Sequence, residues 1–468
     1  MELKTDYLVV GSGATGMAFV DTLLQETDAD IIMLDKRHAP GGHWNDAYPF
    51  VRLHQPSMSY GVASRPLGRD RKDETGTNQG FYELASGAEL NHYYHALMEE
   101  TFLPTGRVRF FPMSEYVGNG EFVSMVSGER FKVDVAKKTV NAAQFQTQIP
   151  STHTRKFEVA DGVVCIPPND LPRHVANHDH VTVLGAGKTS MDAIIWLQEL
   201  GYPSESISWV VPRDVWMWNR KFTQPGMEFF ESTIGGQAKA FEVYAHANSA
   251  KDIAEGLEQA GIWMRLDQDV LPEVFHAPTV TETEADLLRN VANIIRLGRV
   301  KRVEADKMIL QNGEIATAPN TLYVDCTASA GENNVGDKTP VFRDGEINIQ
   351  MVRQIQPCFS AAIIAFIEAN FESEDEKINL ARPTPMFDTV EDYVSVLADG
   401  MMNQYFWSQT PAISEWMSSC RLNGPANLVS QIGPDDSSKR AVLGKLVEFA
   451  PLAAQNLMKL SAEQAQAS

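Results

Sequence analysis

The sequence predicts an α/β fold of two parallel-sheet units, one inserted into the other, and three observations predict it. An apolar strand, a glycine turn and an amphipathic helix open the chain; the same succession recurs at 181–201; and a late apolar run, TLYVDCTASAG, leads into mixed helical segments. A chain of 468 residues is also long for one core, at a usual spacing of about one domain per 150 residues.

The opening TDYLVVGSGATG predicts a strand over 7–10, followed by a helix that gathers Met17, Ala18, Leu23 and Leu24 on one face. Gly11, Gly13 and Gly16 sit between the two, and each has a separate task. The first makes the tight turn, the second lets a pyrophosphate approach the backbone, and the third lets helix pack on strand. The helix then opens at Ala14 and Thr15, presenting its positive end to a phosphate. The next strand, over 30–34, ends at Asp35, which is placed to accept a hydrogen bond from a ribose 2′-hydroxyl; Lys36 follows it. A glycine turn that only shapes an α/β fold is the alternative.

From 40 to about 80 the periodicity fades and Gly, Pro, Asn and Ser accumulate. Loops of that length inside a compact domain are usually functional or disordered, and Trp44, Tyr48, Phe50 and Tyr60 favour function.

The second unit predicts a strand over 181–184, a helix closing near Gly201 and a strand over 207–211. Its turn contains the letters GKT, but a phosphate-binding P-loop needs glycine where Thr182 stands. A nucleotide turn of Gly185, Gly187 and Ser190 fits instead, with Lys188 and Thr189 opening the helix. After the following strand come Pro212, Arg213 and Asp214. Arg213 can grip a 2′-phosphate bidentately, with Lys188 assisting, so NADPH is expected over NADH, which Asp214 keeps open.

Bulk properties narrow the remaining classes. A formal charge of −21 repels phosphate backbones and anionic lipid, so nucleic acid and membranes are not expected partners. The first ten residues lack the features of a secretory signal, and the apolar run 361–367 falls far short of the roughly 20 residues a membrane span needs. A cytoplasmic protein is expected. Cys165, Cys326, Cys358 and Cys420 form no C-x-x-C pair, which argues against a zinc ribbon or disulfide scaffold; no metal site is expected. Trp209, Trp216 and Trp218, followed by Arg220 and Lys221, read as core or interface packing before substrate contact. The acidic run 372–377 and the tail after Leu460 read as solvated helix surface or frayed terminus.

On these residues the chain resembles the flavin-dependent monooxygenases with two dinucleotide domains, which include flavin-containing, Baeyer-Villiger and plant indole-pyruvate monooxygenases. The residues that carry the likeness are Gly11 to Gly16, Gly41-Gly42-His43-Trp44, Arg52-Leu53-His54-Gln55-Pro56, and Gly185 to Asp192. Two departures stand beside them. The F-x-G-x-x-x-H-x-x-x-[FWY] fingerprint is absent between Phe131 and His180, and Asn141-Ala142-Ala143-Gln144 and Asp325-Cys326-Thr327-Ala328 replace the usual Ala-Thr-Gly at the chain crossovers.

The resemblance implies two Rossmann-like dinucleotide-binding domains, with an NAD(P)H domain at 171–324 inserted in a discontinuous FAD domain at 1–170 and 325–468. It implies FAD at the first turn, with Gly42, His43 and Trp44, and NADPH at the second; Asp325 and Thr327 join as crossover residues. The loop bearing Arg52, His54 and Gln55 would face the reactive edge of the flavin, where an imidazole or amide donor could hold a C4a-peroxide. Expected partners are a small-molecule substrate, molecular oxygen and, as a candidate homodimer, a second copy of the chain. A reductase or dehydrogenase without oxygen insertion, and a cofactor-binding protein without turnover, are the alternatives.

Overall fold

The computed structural model describes residues 1–145, 148–328 and 334–467. The spine of the first sheet is the strand Glu2–Val10, flanked in parallel by Ile31–Leu34 and Arg130–Asn141. Val108–Phe111 extends it beyond Ile31–Leu34. Side chains alternate across it with period two: Tyr7, Val9, Ile31 and Met33 join one apolar cluster, Leu8, Ile32 and Leu34 another. The first cluster includes the helices Ala14–Glu26 and Pro357–Asn370, and the second the hairpin Ser114–Gly118 and Glu121–Ser124.

The second sheet holds five parallel strands in the order Asn293–Ile295, Ile207–Val210, His180–Leu184, Thr321–Asp325 and Cys165–Ile166. On one face lie the helices Lys188–Glu199 and Glu282–Arg289. A four-stranded sheet built from Glu158–Val159 and the strands between Val300 and Ala316 covers the other. The chain rejoins the first sheet through Glu346–Asn348, parallel to Arg130–Asn141. The fold is therefore α/β, with one Rossmann-like unit inserted in another.

Two sequence expectations change, and the late apolar run finds its sheet. Parallel pairing holds for the strands beside the glycine turns, whereas the first sheet ends in the antiparallel pair Phe342–Arg343 and Glu346–Asn348 and accepts an antiparallel hairpin on Arg130–Asn141. The run beginning at Thr321 opens with a strand of the second sheet, Thr321–Asp325. Leu322 and Val324 face one apolar cluster and Tyr323 the other, so it sits centrally in the second sheet; its last residues, 329–331, lie outside the described residues. The acidic run is not wholly solvated, because Lys377 is buried between Glu368 at 2.7 Å and Glu374 at 3.1 Å, with Lys138 binding the same two carboxylates.

Trp216 and Trp263 pack fully buried with Phe275, Tyr393 and Leu457, which ties the helices Val390–Gln409 and Ser437–Ala467 to the inserted region. Trp209 is buried in the second core. Among the described residues no helix is long and apolar enough to cross a membrane.

Candidate cofactor site

The first turn is shaped by backbone crowding. Gly11 adopts φ 109°, which favours glycine, and a Cβ at Gly16 would collide with the Gly11 carbonyl oxygen. The helix Ala14–Glu26 begins at Gly13 with no side-chain cap, so its first N–H groups remain for a ligand. Asp35 braces the turn: Oδ2 accepts from Ser12 N at 2.7 Å and Ser12 Oγ at 2.9 Å, and Oδ1 from Arg37 N at 2.9 Å. Ala142, at the first crossover, lies against Gly11 and accepts from Thr15 Oγ1 at 3.2 Å.

The Gly41–Trp44 segment docks on this turn backbone to backbone. Gly41 N donates to Ser12 O at 2.9 Å, and a Cβ on Gly42 would stand 2.8 Å from Gly13 Cα. Trp44 Nε1 donates to Tyr60 Oη at 3.1 Å, and Asn91 holds the Trp44 carbonyl at 3.2 Å. Burial, with Arg37 nearby, pushes the His43 pKa down to about 4.

The second turn repeats the geometry. Gly185 takes φ 112°, and a Cβ there would stand 2.7 Å from the Cys326 carbonyl oxygen. Gly187 faces open space, with nothing within 4 Å of where a Cβ would lie. The helix Lys188–Glu199 also starts without a side-chain cap, while Ser190 Oγ donates to Gly187 O at 2.6 Å and Trp209 Nε1 to Gly185 O at 2.7 Å. Lys188 binds Asp192, whose other oxygen accepts from Tyr48 Oη at 2.6 Å. Phe50 stacks on Trp196 with ring centroids 4.8 Å apart.

The loop from 40 to 80 therefore reaches from the first turn to the second, and one arginine pins it. Arg220, fully buried, donates from Nε to His54 O at 2.9 Å, from Nη1 to Asn78 Oδ1 at 3.0 Å and from Nη2 to Thr279 O at 3.1 Å, and pairs with Glu284 at 2.8 Å. Although burial opposes ionisation, Arg220 and Lys188 hold the Glu284 carboxyl below its ordinary range. Burial first, then those same two cations, push the His54 pKa well down, so its ring is neutral.

A family model described as an NAD(P)-binding Rossmann-like domain matches residues 9–62, the first turn and the start of the loop. The protein Rv2000 of Mycobacterium tuberculosis is 38% identical over 458 residues, which cover 98% of this chain and 84% of that one. This chain belongs to the Rv2000 family. Solved structures with a similar course include OTEMO in complex with FAD and NADP, at TM-score 0.49 and 15% identity over 78% of this chain and 84% of that one. The open form of cyclohexanone monooxygenase gives TM-score 0.48 and 13% identity, over 92% and 97%. Likeness at those levels leaves function to the residues themselves.

In this member of the Rv2000 family the sequence-predicted residues divide. Gly11, Gly13, Ala14, Thr15, Gly16, Asp35, Gly42, His43 and Trp44 gather at the first turn; Gly185, Gly187, Lys188, Thr189 and Ser190 form the second, with Asp325 and Thr327 beside it. Asp325 is consumed internally, accepting from Thr327 N at 3.0 Å, Thr327 Oγ1 at 2.7 Å and Arg155 Nε at 3.3 Å, with His153 at 3.1 Å. Lys36 turns to Glu115 at 2.8 Å, and Arg52 is more than half exposed, 3.7 Å from Asp73. Both are thus engaged by acids outside the two glycine turns. Arg213 is engaged by Asp388. Sequence reasoning missed Asn78, Glu284 and Asp388 as site partners. Arg220 lies in the aromatic-basic segment that the sequence reads as core or interface packing, and its full burial agrees with that reading.

Proposed function

We propose that this protein is an FAD- and NADPH-dependent monooxygenase of a small organic substrate, with FAD at the first turn and NADPH at the second. The observation that carries the reading is the pair of uncapped helix N-termini, each at a glycine turn on a parallel sheet, joined by one aromatic loop.

The residues fit both groups. Gly13 with the helix start at Ala14 would receive one pyrophosphate, and open Gly187 with the start at Lys188 the other. The remaining lone pairs of Asp35 suit a ribose hydroxyl. When bound, FAD supplies two-electron chemistry and activation of oxygen, and NADPH the hydride. The chain's own work is to bind, orient and exclude water: Trp44, Tyr48 and Phe50 close the crevice, and Arg220 fixes the main chain at His54. A neutral His54 ring can donate one hydrogen bond without adding charge, and Gln55 lies next to it. Four free thiols agree with a reducing, cytoplasmic setting.

Purified protein should be yellow, and NADPH should bleach the flavin band anaerobically. With oxygen-18 gas and a panel of small ketones, sulfides and amines, label should enter product. Colourless protein that takes up no FAD would reject the reading; NADPH oxidation that yields only hydrogen peroxide across the panel would leave a reductase.

A further inference from the structure

Arg213 follows the strand Ile207–Val210, whose neighbour His180–Leu184 carries the second turn. Its guanidinium is already occupied. Nη1 and Nη2 reach the two oxygens of Asp388 at 2.6 and 2.8 Å, and His276 Nε2 reaches the same carboxylate at 2.7 Å. A fork of guanidinium and imidazole around one anion is a geometry that suits a phosphate monoester. The neighbouring acid, Asp214, is held by Arg296 at 2.9 and 3.0 Å with its side chain 7% exposed, so a ribose diol has little access to it.

We propose that Asp388 is a specificity-determining residue that stands where the coenzyme's 2′-phosphate goes and competes with it for Arg213 and His276. The inference rests on the reading that the second turn binds a nicotinamide dinucleotide. Asp388 comes from 175 positions further along the chain than Arg213. It is seated by its main chain, its carbonyl accepting from Phe275 N at 3.0 Å and its N–H meeting Asp392 at 3.2 Å, just before the helix Val390–Gln409. The three side chains are 31 to 41% exposed, so the pairing is open to water and exchangeable. A phosphate brings up to two negative charges against one and takes both donors; a plain 2′-hydroxyl displaces nothing. Asp388 therefore weakens binding of 2′-phosphorylated nucleotides and leaves unphosphorylated ones alone.

The test is calorimetric titration of the purified full chain with adenosine 2′,5′-bisphosphate and with 5′-AMP. Asp388→Asn should tighten the bisphosphate about tenfold relative to 5′-AMP, because a like charge beside the phosphate is gone. Asp388→Glu, which keeps the competitor, should hold the wild-type ratio, and Arg213→Gln should abolish the advantage of the bisphosphate. Should Asp388→Asn fold poorly, His276→Gln serves, and should weaken the bisphosphate several-fold with 5′-AMP unchanged. Ratios that stay constant across these variants overturn the proposal while the dinucleotide reading stands. If wild type binds neither probe, the dinucleotide reading falls and the proposal with it.

Discussion

His43 and His54 are largely desolvated beside cations, and both side chains pay for protonation twice, in lost hydration and in repulsion from Arg37 or from Lys188 and Arg220. The consequence is a pH dependence with a fixed sign. An imidazole whose folded pKa is depressed binds fewer protons folded than unfolded, so its neutral form stabilises the fold fully above the unfolded value of 6.5. For His43 that stability is lost as pH falls from 6.5 toward about 4 and changes no further below it. The loss is on the order of 2 kcal/mol, at about 1.4 kcal/mol per unit and discounted for the open side of the crevice. Urea unfolding at pH 4, 5, 6 and 7 should show wild type weakening across this window, and His43→Gln should flatten the slope. An unchanged slope in the variant would remove His43 from the account.

At the scale of elements, positions within the glycine turns differ in what they tolerate. Gly16→Ala forces a Cβ into the Gly11 carbonyl oxygen, backbone that cannot step aside, and should cost about 3 kcal/mol or more. Gly187 sits at φ −80° and ψ 178° with open space around it, so Gly187→Ala should cost at most about 1 kcal/mol. That methyl group would instead occupy the approach of a pyrophosphate, and NADPH binding should weaken about tenfold. Thermal unfolding separates the first variant from the second, and coenzyme titration of the second tests the assignment of the turn; equal destabilisation by both would contradict the geometry. These turns were legible because everything that defines them is local: glycine spacing, the preceding apolar strand, the helix behind. The run at 321–325 was legible as a strand, but period and apolarity do not say which neighbours it will pair with, here His180–Leu184 and Cys165–Ile166. The partners of Arg213 and Arg220 were not legible at all. Asp388 and Asn78 lie 175 and 142 positions from them, and an ion pair between distant surface or loop residues leaves no pattern in either neighbourhood.

Across the whole molecule, few polar groups join the loop of the first unit to the inserted one as deeply as Arg220. It ties His54 and Asn78 from the loop to Thr279 and Glu284 from the second unit, at zero exposure. Shallower ties surround it, among them Tyr48 Oη on Asp192 at 2.6 Å and Thr281 Oγ1 on the Thr77 carbonyl at 2.9 Å, and Arg421 clamps the same loop from the C-terminal side through the carbonyls of Met58, Tyr60 and Val62 at 2.6 to 2.8 Å. Removing one member of a buried pair strands the other, so Arg220→Gln should lose about 3 to 5 kcal/mol, whereas replacing both by apolar residues of similar size, Arg220→Met with Glu284→Met, should recover much of it. The recovery would be in stability alone. Without the guanidinium the His54 carbonyl and the Asn78 side chain lose their direct bonds to Arg220, so on the proposed monooxygenase reading the double variant should stay folded yet pass fewer electrons from NADPH to product and more to hydrogen peroxide. Denaturation midpoints and peroxide yield, measured on wild type, single and double variants, give the two answers separately. If the double variant regains stability and keeps wild-type yield, the loop is placed by its apolar packing and Arg421, and Arg220 is a structural tie only.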